Sequence, residues 1–251
     1  MSCPEKLSLM SGEQIAYFST PGKGATVIFL GGFMSDMTGT KAQSLEQQAK
    51  SRGYGFLRFD YRGHGQSSGR FEDGTISQWL DDALAVIDRV TDGPLILVGS
   101  SMGGWIALLA ALRRPARVAG LVGIAAAADF TESLMWDRFD DPVRQTILET
   151  GRYEQASPYG PEPTVITRAL IEDGRRHLLL PGPVAIACPV RLLQGQQDPD
   201  VPWEWALKIA DALDAPDVVV TLVKSGDHRL SEPDDLARLH QAVDDLVAQA
   251  G

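Results

Sequence analysis

Apolar positions along the chain fall into two alternating rhythms. Short apolar runs of the kind buried on both faces of a parallel sheet occur at Val27–Leu30, Leu95–Val98, Val118–Ile124, Val190–Leu193 and Val218–Val223. Gly55–Phe59 reads as another strand. Between them Thr40–Arg52, Gly104–Arg113 and Trp203–Leu213 have helical character, and Pro233–Gln249 closes the chain as an amphipathic helix. A further helix is announced by Thr75-Ile76-Ser77-Gln78, which has the form of a capping box. It continues with Ile76, Leu80, Ala83, Ile87 and Val90 at three- and four-residue steps. The opening reads as a hairpin, Lys6–Met10 and Gln14–Ser19 around the turn-forming Ser11-Gly12. Strands alternating with helices predict the α/β class, a mostly parallel sheet of about eight strands flanked by helices.

One stretch breaks the rhythm. From Asp129 to Pro183 no strand is evident, and Trp136, Phe139, Tyr153 and Tyr159 stand among charges and prolines. A small helical cap over the C-terminal edge of the sheet, inserted into a single domain spanning 1–251, is the economical expectation. Asp129-Phe130-Thr131-Glu132 has the form of a cap for its first helix. The aromatic residues read most simply as cap core, with pocket lining as the sharper alternative.

The 251 residues carry 23 Lys+Arg against 33 Asp+Glu, a formal charge of −10. That balance opposes a phosphate backbone, so no nucleic-acid partner is expected. With 44% hydrophobic and 22% charged residues the chain has the makings of a sizeable core rather than of disorder. The longest apolar run, Val118–Ala128, falls short of the roughly 20 residues of a membrane-spanning helix. The first residues, MSCPEKLSLMSGEQ, lack the apolar stretch of a secretory signal and the Arg-rich character of a transit peptide, so a cytoplasmic protein is expected. Cys3 and Cys188 form no disulfide framework, and the four histidines are too scattered to suggest a metal site. No GxGxxG follows a strand and no GxxxxGK[ST] occurs, so no cofactor is implied.

The chemistry gathers at Gly99-Ser100-Ser101-Met102-Gly103, a G-x-S-x-G pattern set directly between a strand and a helix. In that setting the turn lifts Ser101 above the sheet as a nucleophile, with Ser100 one residue off the frame. The plain alternative is a small-residue turn. A serine hydroxyl needs a base, and the base needs orientation. In the chain order Ser, Asp, His of such elbows, Asp198 in Gln194–Pro202 supplies the acid and His228 in Ser225–His228 the base. Asp200 is the second choice of acid, and Asp129 a third whose capping pattern already explains it. His64 lies upstream of the serine, out of order, in a glycine-rich bend. His177 reads as a surface residue of the cap with substrate contact as the alternative, and His240 as solvated on the closing helix. The developing oxyanion needs N–H donors, which Met102, after the nucleophile, and Phe33, in Gly31–Ser35, are placed to offer.

At these residues the chain resembles the α/β-hydrolase branch that includes the mitochondrial acyl-protein thioesterase, also described as an acyl-glucuronide esterase. The likeness runs from about Val27 to the last helix. It is carried by GGFMSDMTGTKA, FDYRGHGQSSG, GSSMGGW, ACPVRLLQGQQDPDVPW and SGDHRLSE. It implies a triad of Ser101, Asp198 and His228, oxyanion donors at Phe33 and Met102, no cofactor, and a serine esterase or thioesterase acting on small-molecule or acylated-protein substrates. Long-chain acyl-protein thioesters and acyl glucuronides are the substrate classes it suggests. The cap, Asp129–Leu180, matches least, which locates substrate choice there, and the lack of a targeting extension suggests a bacterial relative. Other outcomes on the same scaffold are a carbon–carbon bond hydrolase, an aminopeptidase, or a ligand-binding receptor.

Overall fold

Residues 3–156 and 163–250 are described by the computed structural model. Its first hairpin pairs β1 (Glu5–Ser8) with β2 (Gln14–Thr20), antiparallel with Leu7 opposite Ile15, and Gly12 turns it at φ 89°. β2 then lies antiparallel to β4 (Gly55–Phe59). From there every pairing is parallel, through β3 (Thr26–Leu30), β5 (Leu95–Ser100), β6 (Val118–Ile124), β9 (Val190–Gly195) and β10 (Val218–Val223). Two further strands, β7 (Arg152–Gln155) and β8 (Thr164–Thr167), form a separate antiparallel pair. The main sheet thus has eight strands, mostly parallel as the alternation in the sequence predicts, in the order β1-β2-β4-β3-β5-β6-β9-β10.

Helices cover both faces because the strands are apolar on both sides. On one face α1 (Thr40–Arg52) and α7 (Pro233–Gln249) enclose Val27, Phe29, Ile96, Val98 and Val122 with Leu45, Leu239, Val243 and Leu246. On the other, α2 (Ile76–Val90), α3 (Met102–Arg113) and α6 (Glu204–Ala212) bury Trp79, Trp105 and Ile209 against Ile28, Leu97 and Leu192. Each fully buried Leu, Ile or Val in these layers contributes about 1.5–3 kcal/mol by leaving water. Thr75 caps α2 as its sequence foretold, its hydroxyl accepting from Gln78 N–H at 3.2 Å. α7 begins with a reciprocal box between Glu232 and Asp235.

The stretch between β6 and β9 departs from expectation in two respects. It contains β7 and β8, with Tyr153 opposite Ile166, where no strand was evident in the sequence. Arg152–Gln155 is short, polar and exposed at three of its four positions, so it carries no alternating apolar signal. Second, the Asp129 side chain does not cap a helix. Its Oδ1 and Oδ2 accept from the N–H groups of Leu179 (2.8 Å) and Leu180 (2.9 Å), clasping the start of the stretch to its end. A π-helical turn, Thr131–Met135, follows it, and the first α-helix is α4 (Asp141–Thr150), capped by Asp140 and closed at Gly151. α5 (Arg168–Gly174) then docks on α2, with Asp173 accepting from Ser77 N–H (2.7 Å) and Oγ–H (2.8 Å). Trp136, Phe139 and Tyr153 pack around Ile147, Ile166 and Ile171 as a small satellite core. Tyr159 lies outside the described residues.

Candidate active site

The loops that leave β3, β5, β9 and β10 emerge at one end of the parallel strands, where open α/β sheets receive ligands. After β5 the backbone turns sharply into α3, and Ser101 sits at φ 54°, ψ −120°. For a non-glycine residue this conformation costs roughly 1–3 kcal/mol and persists only where the surroundings impose it. Here Ser101 N–H donates to Ile124 (2.9 Å), and its carbonyl accepts from Gly104 (2.9 Å) and Ala127 (3.1 Å). The flanking glycines are steric necessities: a Cβ on Gly99 would stand 2.2 Å from Gly103 O, and one on Gly103 would stand 2.1 Å from Leu30 O.

Across the cleft, Asp198 Oδ2 accepts from His228 Nδ1 at 2.8 Å. The Asp198 side chain is fully buried, whereas His228 keeps 17% exposure toward the cleft. Every direction around the carboxylate is occupied. Oδ1 accepts from Asp200 N–H (2.8 Å) and Val201 N–H (2.9 Å), and Oδ2 takes a second bond from Gln194 Nε2 (3.1 Å). Burial pushes the Asp198 carboxyl up, but the His228 bond and the Val201 and Asp200 amides outweigh it and hold it below its ordinary value. Asp200, the second choice of acid, donates its backbone N–H to Asp198. Asp198, Asp200 and His228 bring candidate ligand atoms within 4.8 Å of one another. With the Asp198 oxygens already engaged, the arrangement reads as a hydrogen-bonded acid–base pair.

A cleft of about 920 Å³ joins these parts. Ser101, Met102, Phe33 and His228 all line it. No hydrogen bond links Ser101 Oγ to His228 among the described residues; such bonds commonly tighten only when substrate arrives. Met102 is the first residue of α3, so its N–H is one of the helix-end donors without an intrahelical acceptor. Phe33 N–H donates to no group among the described residues. The Phe33 ring is seated edge-on against Phe71 (4.8 Å), Phe130 (5.6 Å) and Trp79 (5.8 Å), which fixes the loop that carries this amide. The lining is apolar at Phe130, Leu134, Met135, Phe139 and Ile166, called here the apolar limb, and polar at Asp36, Thr40, Lys41, Arg138, Arg229 and Ser231.

The remaining histidines are structural. His64 is buried among Tyr61, Phe71 and Trp79, and burial lowers its imidazole to about 4. His177 is not the surface residue expected, because its Nε2 meets Ser77 Oγ at 2.7 Å where α5 docks on α2. Nor is His240 simply solvated; it meets Ser44 Oγ at 2.8 Å, joining α7 to α1. Sequence reasoning missed Gln194, for which a glutamine closing the apolar run of β9 was the available signal.

Known proteins resemble this chain in sequence and in fold. The serine aminopeptidase (S33) hydrolase family matches residues 22–156. The palmitoyl-protein thioesterase ABHD10, mitochondrial, of Mus musculus is 42% identical over 236 residues, covering 93% of this chain and 78% of its own. The crystal structure of a putative hydrolase from Agrobacterium vitis S4 superposes with TM-score 0.93 at 46% identity, over 97% of this chain and 99% of that one. Mouse alpha/beta hydrolase domain-containing protein 10 superposes with TM-score 0.92 at 38% identity, over the full length of both chains.

Proposed function

The chain belongs to the serine aminopeptidase S33 family of α/β-hydrolases, and from that premise we propose that it cleaves acyl thioesters and carboxylic esters through Ser101, His228 and Asp198. It is a hydrolase of the serine esterase or thioesterase type. In the proposed cycle Ser101 Oγ attacks the acyl carbon while His228 Nε2 takes its proton. The oxyanion rests on the Phe33 and Met102 N–H groups. Collapse breaks the bond to the leaving thiolate or alkoxide, which takes the proton from His228. Water, deprotonated in turn by His228, then attacks the acyl-enzyme and releases the acid and Ser101. Asp198 keeps the His228 proton on Nδ1, leaving Nε2 free to accept.

The observation that carries this reading is the Asp198–His228 pair lining, with a serine on a strained elbow, one cleft. The apolar limb supports a long acyl chain as the group bound beneath residues 129–183, acting as a cap within one domain. Long-chain acyl-protein thioesters are thus the favoured substrate class, in keeping with the name of the mouse relative. A cytoplasmic setting is part of the proposal, although that relative is named mitochondrial. No described helix is long and apolar enough to cross a membrane.

The test is covalent labelling by a fluorophosphonate probe, read by mass spectrometry on wild type and Ser101→Ala, followed by a panel of acyl thioesters, esters and peptide amides. Labelling confined to Ser101 with turnover of thioesters is the expected result. A folded wild type that takes no label and turns over no acyl substrate sinks the proposal in favour of a binding role.

A further inference from the structure

Lys41, the second residue of α1, lies in the cleft wall near Ser101 and His228, and its Nζ donates to the carbonyl of Arg229, the residue after the proposed base. A surface lysine ordinarily extends its charged head into water. This one turns inward, and among the described residues it forms no ion pair. The charged groups that act on it are Asp227 and Arg229 on the loop after β10 and Asp235 on α7, and burial pushes its amine down to about 8. The half-buried cation is thus held at the loop by the Arg229 carbonyl, with the charges of Asp227 and Asp235 favouring it there.

The loop it grips is held in an unusual shape. Asp227 Oδ1 accepts from Arg229 N–H (3.0 Å) and Leu230 N–H (2.9 Å), and Leu230 sits at φ 44°. His228 therefore rides on a strained turn whose far side is tied to α1, just beyond the loop carrying Phe33. We infer that Lys41 is a positioning residue, which sets the His228 loop in register with Ser101 by holding the Arg229 carbonyl. This inference rests on the serine-hydrolase reading above.

The experiment compares wild type, Lys41→Met and Lys41→Arg in the saturable reaction of a fluorophosphonate with Ser101, alongside amide hydrogen exchange of residues 226–231. The expected result for Lys41→Met is a maximal labelling rate lower by about tenfold or more with an unchanged half-saturating concentration. Lys41→Arg, which can still reach the carbonyl, recovers most of that rate. Amide exchange in the loop rises by about tenfold in Lys41→Met while the rest of the sheet is unaltered. Unchanged rate or unchanged exchange overturns the inference. So does a change confined to the half-saturating concentration, which would make Lys41 a contact to the ligand. If wild type itself takes no label, the hydrolase reading fails, and the exchange comparison still decides whether Lys41 holds the loop.

Discussion

One oxygen of Asp198, Oδ2, receives both His228 Nδ1 at 2.8 Å and Gln194 Nε2 at 3.1 Å. The carboxylate is thereby anchored to β9 on one side and aimed at the imidazole on the other. In Asp198→Asn the side-chain amide presents a donor to Nδ1, so the imidazole is driven to the tautomer that cannot accept from Ser101. Turnover of a p-nitrophenyl ester should fall by about four decades, while Ser101→Ala loses about three or more. Near-wild-type rates in either variant, with the fold intact by circular dichroism, would remove these residues from the mechanism.

The oxyanion reading concerns backbone, not side chain, at Met102. Met102→Leu therefore keeps most of the activity, to within about threefold, because the swap conserves volume in a buried site and leaves the N–H in place. Steady-state kinetics on one ester suffices, and a loss beyond about a hundredfold would count against the assignment.

Chain-length preference should be set by the apolar limb. Leu134 lines it from the π-helical turn. Leu134→Trp would fill the limb, lowering kcat/KM for a palmitoyl thioester by about tenfold or more while a butyryl ester loses little. Equal losses on both substrates would place the acyl chain elsewhere.

Acid should expose His64. Burial lowers its imidazole from 6.5 to about 4, so the unfolded chain binds this proton more readily than the folded one. Its contribution to stability is complete above pH 6.5 and is lost as pH falls toward 4, a difference of about 3 kcal/mol at the extreme. His177 and His240, also lowered by burial, add smaller losses of the same sign, and Asp82, raised to about 6 by burial, opposes them. The clean measurement is a difference: His64→Phe should flatten the decline in urea stability between pH 6.5 and 4. A variant as acid-sensitive as wild type would show that His64 is not the group titrating.

The elbow tolerates no methyl at Gly103, where a Cβ would stand 2.1 Å from Leu30 O and 2.5 Å from Gly31 O. Since both obstacles are backbone, Gly103→Ala should destabilise by about 3 kcal/mol or more, seen as a lower urea midpoint. Gly151→Ala makes a useful contrast, because nothing lies within 4 Å of its Cβ and only its φ of 82° is strained; its cost should be about 1 kcal/mol.

What the sequence made legible follows from how local each signal is. Ser101, Asp198 and His228 each sit just past a strand, so the G-x-S-x-G turn and chain order were enough to propose them, and the structure sets all three at the same end of the sheet. Gln194 and Lys41 act through contacts no local pattern encodes; Lys41 and Arg229 are 188 residues apart. Asp129 shows the opposite failure. Its neighbours have the form of a helix cap, but the Leu179 and Leu180 amides, 50 and 51 residues on, claim both of its oxygens. The Arg152–Gln155 strand was invisible because its partner, not its own composition, makes it a strand.

The Asp129 clasp has a consequence for descent. The segment is clasped by Asp129 where it leaves the sheet, is tied through Arg138 to the Asp200 carbonyl and is tethered again where Asp173 meets Ser77, so a change between these ties disturbs the strand ends least. Under the proposed function, rewriting roughly the stretch from 139 to 172 would change what the cleft accepts, and a laboratory can graft a foreign roof between Arg138 and Asp173.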